Sequence, residues 1–141
     1  MKRTNILLLI AVLALFALTL SACGKSEFGE TENTGKRITI TAINVSKGAL
    51  ITSGSLEVAD GDRIVITSNL TKGLIRVEIV ESSEEQSIDI LPDLNSEAVM
   101  TADISGTETV SETVPTGSYM LRVSCLEKAN GTIEIVAQPA A

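Results

Sequence analysis

Between Leu74 and Val80 every second residue is a branched aliphatic: Ile75, Val77 and Ile79 fall on one side, Arg76 and Glu78 on the other. A period of two puts apolar side chains on one face of an extended strand and polar ones on the opposite face, as a half-buried antiparallel sheet requires. The pattern recurs at Ile38 and Ile40, at Ile64 and Ile66, at Tyr119, Leu121, Val123 and Cys125, and at Ile133 and Ile135. No stretch after residue 22 shows a helical period. One-faced strands must hide that face against another layer. The expectation is therefore all-β: an antiparallel two-sheet β-sandwich, jelly-roll or immunoglobulin-like, of about eight or nine strands. With no Trp, one Tyr and two Phe, its core has to be built from Ile, Val, Leu and Ala.

Turn chemistry punctuates these runs. Ser46-Lys47-Gly48, Asp60-Gly61-Asp62, Asn69–Gly73, Ser105-Gly106 and Pro115-Thr116-Gly117 all carry residues suited to tight connections. Asn130-Gly131 reads as a hairpin turn between two strong strands. The apolar parity slips after Ile40, from Ile38 and Ile40 to Ile43 and Val45, which points to a bulge near Ala42. Ser82–Ser87 reads as an acidic loop, and Ile88–Leu91 as a short edge strand ended by Pro92.

The N-terminus is of a different kind. Lys2 and Arg3 precede a run, Ile6 to Leu20, that is apolar except for Thr19. A basic start, an apolar stretch of this length and small residues after it form a secretory signal, expected as a helix. The run falls short of the roughly 20 apolar residues a spanning helix needs. It ends in Leu20-Ser21-Ala22-Cys23, which resembles the lipobox of bacterial lipoproteins at all four positions. That resemblance implies a diacylglycerol on the Cys23 sulfur, cleavage before Cys23, and often acylation of the new amine. It also implies an extracytoplasmic address: the outer leaflet of the cytoplasmic membrane, or an outer membrane where the host has one. The expected division is a signal peptide over 1–22, lipidated Cys23 and a flexible tether over 23–36, and the β-sandwich over 37–141. The tether, GKSEFGETENTGK after Cys23, is polar and aperiodic, with Phe28 its apolar exception.

Removing residues 1–22 takes Lys2 and Arg3 and no acid, so the formal charge moves from −7 to −9. So acidic a body disfavours nucleic acid and, through its overall surface, anionic membranes. Attraction to the bilayer is expected to come from the lipid, at about 0.8 kcal/mol for each buried methylene.

Histidine is absent, which removes imidazole bases, imidazole ligands and the Ser-His and Cys-His nucleophile arrangements. Cys125, on the apolar side of its strand, reads as a small hydrophobe rather than a redox group. Once Cys23 is lipidated it has no disulfide partner within the chain. The carboxylates fall in expected loops or on solvent-facing positions, and few aromatics are present to stack a sugar, so catalysis is not expected. Calcium takes oxygen ligands, and Asp60 and Asp62 around Gly61 are the weak candidates for one, although no Asp-x-Asp-x-Asp-Gly loop occurs. No cofactor is expected.

The closing stretch Val114–Val136, with V-P-T-G-S-Y-M-L-R-V and then N-G-T-I-E-I, is similar to the end of secreted bacterial β-sandwiches such as pre-peptidase C-terminal domains and related jelly-roll modules. It implies architecture and no activity. The functional expectation is a membrane-anchored lipoprotein carrying a non-catalytic binding or structural module. The alternative is a calcium- or carbohydrate-binding accessory domain of the cell envelope. Partner, ligand and oligomeric state are not legible, and binding is expected at strand edges or at the loops Ser82–Ser87 and Leu91–Glu97.

Overall fold

The computed structural model describes residues 26–82 and 97–140. The signal segment, Cys23 and the expected strand at Ile88–Leu91 lie outside the described residues. Within them the chain is all-β and antiparallel, in seven strands: β1 (Glu27–Asn33), β2 (Arg37–Val45), β3 (Leu50–Val58), β4 (Asp62–Glu81), β5 (Ala98–Ile104), β6 (Thr107–Thr113) and β7 (Gly117–Pro139).

Two of these, β4 at 20 residues and β7 at 23, form the frame. They pair with one another along nearly their whole lengths, from Asp62↔Pro139 to Glu81↔Tyr119. Near the middle the register slips, between Leu70 and Ile75. On one side of that break, the halves 62–70 and 131–139 carry β6 beyond β4, and β2 then β1 beyond β7. On the other, the halves 74–81 and 117–125 carry β5 and β3. Each half buries one face, and both faces belong to one continuous core. The two long strands therefore bend together and lay one half-sheet over the other, making two layers from a single hydrogen-bonded sheet.

Glycine makes the bend possible. Gly73 has φ +99° and Gly131 φ +140°, both in the region L-residues avoid. A side chain on Gly73 would meet the Lys128 carbonyl oxygen at 2.5 Å, and one on Gly131 would meet the Leu70 Cα at 2.6 Å. Beside it, Asn44 holds φ 49°, the one non-glycine residue with positive φ among those described. Its amide N–H donates to Asn130 Oδ1 at 2.7 Å, which locks the expected bulge of β2, shifted two residues beyond Ala42, onto β7.

The core is aliphatic, as the composition requires. Ile38, Ile135 and Ile66 occupy one cross-strand row of the first layer, each fully buried. Val77, Val123 and Ala102 form a row of the second. Tyr119 is the buried aromatic, and its hydroxyl donates to the Pro115 carbonyl four residues upstream, fastening the turn that opens β7.

Two expectations change. The eight or nine strands become seven among the described residues, because Asn69–Gly73 and Asn130-Gly131 are bends within β4 and β7 rather than turns between separate strands. A positive-φ glycine serves either purpose, and long-range pairing decides which. The expected tether over 23–36 is corrected at its C-terminal part, since Glu27–Asn33 pair with β2 as an edge strand. The reason is twofold: β2 would otherwise offer an open edge, and Phe28 packs against the core. The signal helix, Cys23, the strand Ile88–Leu91 and nearly all of the expected binding loops Ser82–Ser87 and Leu91–Glu97 lie outside the described residues.

Candidate functional site

Cys23 is the sequence's leading site residue, and the domain begins close behind it. Ser26 already belongs to the fold, its hydroxyl donating to the Asn44 carbonyl at 3.3 Å. Gly24 and Lys25 separate it from Cys23, so the three peptide steps of the link can span at most about 10 Å, at roughly 3.5 Å per residue.

The acidic candidates Asp60 and Asp62 occupy the β3–β4 turn. Asp62 is buried, and its Oδ2 accepts from Lys36 Nζ at 3.0 Å and from the Ala59 amide at 3.0 Å. The Lys36 hydrogen bond, then that of Ala59, holds its carboxyl below the ordinary carboxylate range. Asp60 is exposed. The turn thus uses Asp62 as an ion-pair partner and a cap, and no group of three metal-ligating side chains gathers among the described residues.

Polar groups converge elsewhere, on the outer face of the second layer. Arg122 on β7 grips Glu78 on β4 through two hydrogen bonds, 2.8 and 2.9 Å, and Arg76 on β4 grips Asp103 on β5 likewise, at 2.7 and 2.8 Å. Both couples are direct cross-strand neighbours. The Arg122 and Glu78 side chains are only 11% and 20% exposed. These fork-to-fork contacts fix both the register and the orientation of the side chains. Strand parity alone puts Arg76, Arg122 and Glu78 on outward faces, but which arginine pairs with Glu78 depends on the order of strands. Arg37 approaches Glu134 more loosely, at 3.9 Å, while Arg63 Nε is buried without a hydrogen-bond partner among the described residues. Cys125 is buried, and burial pushes its thiol up, away from reactivity.

The ion pairs predict a pH response. Glu78 and Asp103 are held below their ordinary values chiefly by hydrogen bonds from Arg122 and Arg76, as Asp62 is by Lys36. A carboxyl lowered on folding contributes stability that is present above its unfolded value, near 4, and is lost as pH falls through the folded one. With no histidine, nothing offsets this at neutral pH. The thermal midpoint is expected to be nearly level from about pH 5 to 8 and to fall below about pH 4. A calorimetric series across that range checks it, and a step centred near pH 6 would contradict it.

A scan against protein-family models finds no match, and a search of curated proteins finds none. Among solved structures, one chain described as "CBM4 structure and function" is similar over 82% of this chain and 81% of its own, at 12% identity and a TM-score of 0.40.

Proposed function

We propose that this chain is a bacterial lipoprotein: an all-β module, non-catalytic, held at the extracytoplasmic surface of a membrane by lipid on Cys23. It serves there in binding or as a structural element. The observation that supports this best is the spacing between motif and fold. Leu20-Ser21-Ala22-Cys23 stands immediately before a domain that begins at Ser26, so every strand of the core remains after cleavage. The converging polar side chains fit the non-catalytic part of the reading. They pair with one another across strands or cap turns, which leaves them as structural contacts.

The test replaces the acceptor sulfur. Cells producing the natural chain and Cys23→Ser are labelled with radioactive palmitate and fractionated. Label is expected on the natural protein in the membrane fraction and absent from the variant. Equal labelling of the two would remove the proposal.

A further inference from the structure

The bend of β4 and β7 defines one end of the sandwich, and this is the end at which the chain enters the fold through Ser26 and Glu27. The turn at Ser46–Ala49 closes onto it, with Gly48 N–H donating to the Cys125 carbonyl and Cys125 N–H to that of Ala49, each at 2.8 Å. The Ser105-Gly106 turn does the same, the Leu70 amide donating to the Gly106 carbonyl at 2.9 Å. The bend and its turns carry Lys47, Lys72 and Lys128, all exposed and without an ion-pair partner among the described residues. By register the acids at the same end are Glu27, Glu108 and Glu127. The bend end is thus balanced, whereas at the opposite end acids predominate: Glu32, Glu57, Asp60, Asp62, Glu81, Glu97 and Glu112 stand against Lys36, Arg37 and Arg63. Two of the three exposed large hydrophobics flank the Ser46–Ala49 turn, Ile43 at 39% and Leu50 at 43% exposure. The third, Val99, is at the acidic end.

We infer that the bend end is a docking face for an anionic phospholipid surface, with Lys47, Lys72 and Lys128 over the headgroups and Ile43 and Leu50 at their apolar boundary. The inference rests on the lipid anchor proposed above, because that anchor brings this end to the bilayer. The two-residue link between Cys23 and Ser26, Gly24-Lys25, leaves about 10 Å of play, too little for the domain to present its other end. The net negative charge does not prevent docking. The strand halves between the ends are eight or nine residues long, about 26–30 Å at roughly 3.3 Å per residue, whereas screening at physiological salt acts over about 8 Å. The local lysines therefore decide the interaction, each strengthening it about fivefold, and apolar residues beside basic ones suit a headgroup boundary.

The acylated full chain is purified and labelled with bimane at Lys47→Cys or at Asp60→Cys, Cys125 being buried. It is then placed in vesicles of brominated phosphatidylcholine with or without phosphatidylglycerol. Quenching is expected to be several-fold stronger at position 47 than at 60, and to weaken there when phosphatidylglycerol is omitted or when Lys72→Ser and Lys128→Ser are added. Equal quenching at the two positions, or quenching at 47 indifferent to both changes, overturns the docking face. The mass of the purified protein separates the two claims. Lipid present with equal quenching removes this orientation alone, whereas protein from membranes lacking lipid removes the anchor and the orientation together.

Discussion

Gly131→Ala is expected to unfold the domain or bring it to the edge of unfolding. Gly131 combines φ +140° with a position in which a new Cβ would press into the Asn69 carbonyl and lie 2.6 Å from the Leu70 Cα. Both obstacles are backbone of the paired strand, so no side chain can swing aside. Strain from a forbidden φ costs about 1–3 kcal/mol, and overpacking a tight contact adds about 1–3 kcal/mol. A loss of about 2–6 kcal/mol is a large part of the roughly 5–15 kcal/mol that holds a domain folded. Gly73→Ala is expected to behave alike, since its Cβ would meet the Lys128 carbonyl and the Ala129 Cα. Gly48→Ala is the control: its φ of +91° brings strain, but nothing lies within 4 Å of the added carbon. Urea midpoints of the three variants check the ranking. If Gly131→Ala unfolds no earlier than Gly48→Ala, the shared bend of β4 and β7 is misplaced.

The second large effect is Ile135→Ala. Ile135 is fully buried at the centre of the first layer, with Ile38 and Ile66 as its register partners on either side. Truncating a buried isoleucine costs about 2–5 kcal/mol, because transfer free energy is lost and the cavity only partly closes. The upper half of that range is expected here, as this core has one buried aromatic and few long flexible side chains to fill the gap. Ile43→Ala, at a 39% exposed site on β2, is expected to stay within about 0.5 kcal/mol of the parent. Chemical denaturation distinguishes the pair, and comparable losses at both sites would mean that the buried faces are wrongly assigned.

These two predictions mark what could and could not be read from the sequence. Ile133 and Ile135, like Ile75, Val77 and Ile79, announce their buried face through alternation, because the period of a strand is a local property. The bulge of β2 announces itself in the same way, through the parity slip between Ile40 and Ile43. The bend does not. Asn130-Gly131 has the φ preferences of a hairpin turn, and whether such a pair reverses the chain or folds a continuous strand is settled by residues some sixty positions away in β4. Strand β1 was hidden for a related reason. Its Gly, Glu and Asn residues carry almost no β preference, and β2's open edge and the core contact of Phe28 recruit it. The Arg122–Glu78 couple lay between these cases: parity placed both side chains outward, and only the β4–β7 pairing joined them.

The lipid proposed on Cys23 is examined directly by the tryptic peptide at the mature N-terminus. Cleavage after Lys25 releases Cys23-Gly24-Lys25. Mass spectrometry of protein extracted from membranes is expected to find this tripeptide beginning at Cys23 and carrying a diacylglyceryl group on sulfur. An N-terminus elsewhere, or a Cys23 bearing an unmodified thiol in membrane-extracted protein, would contradict it.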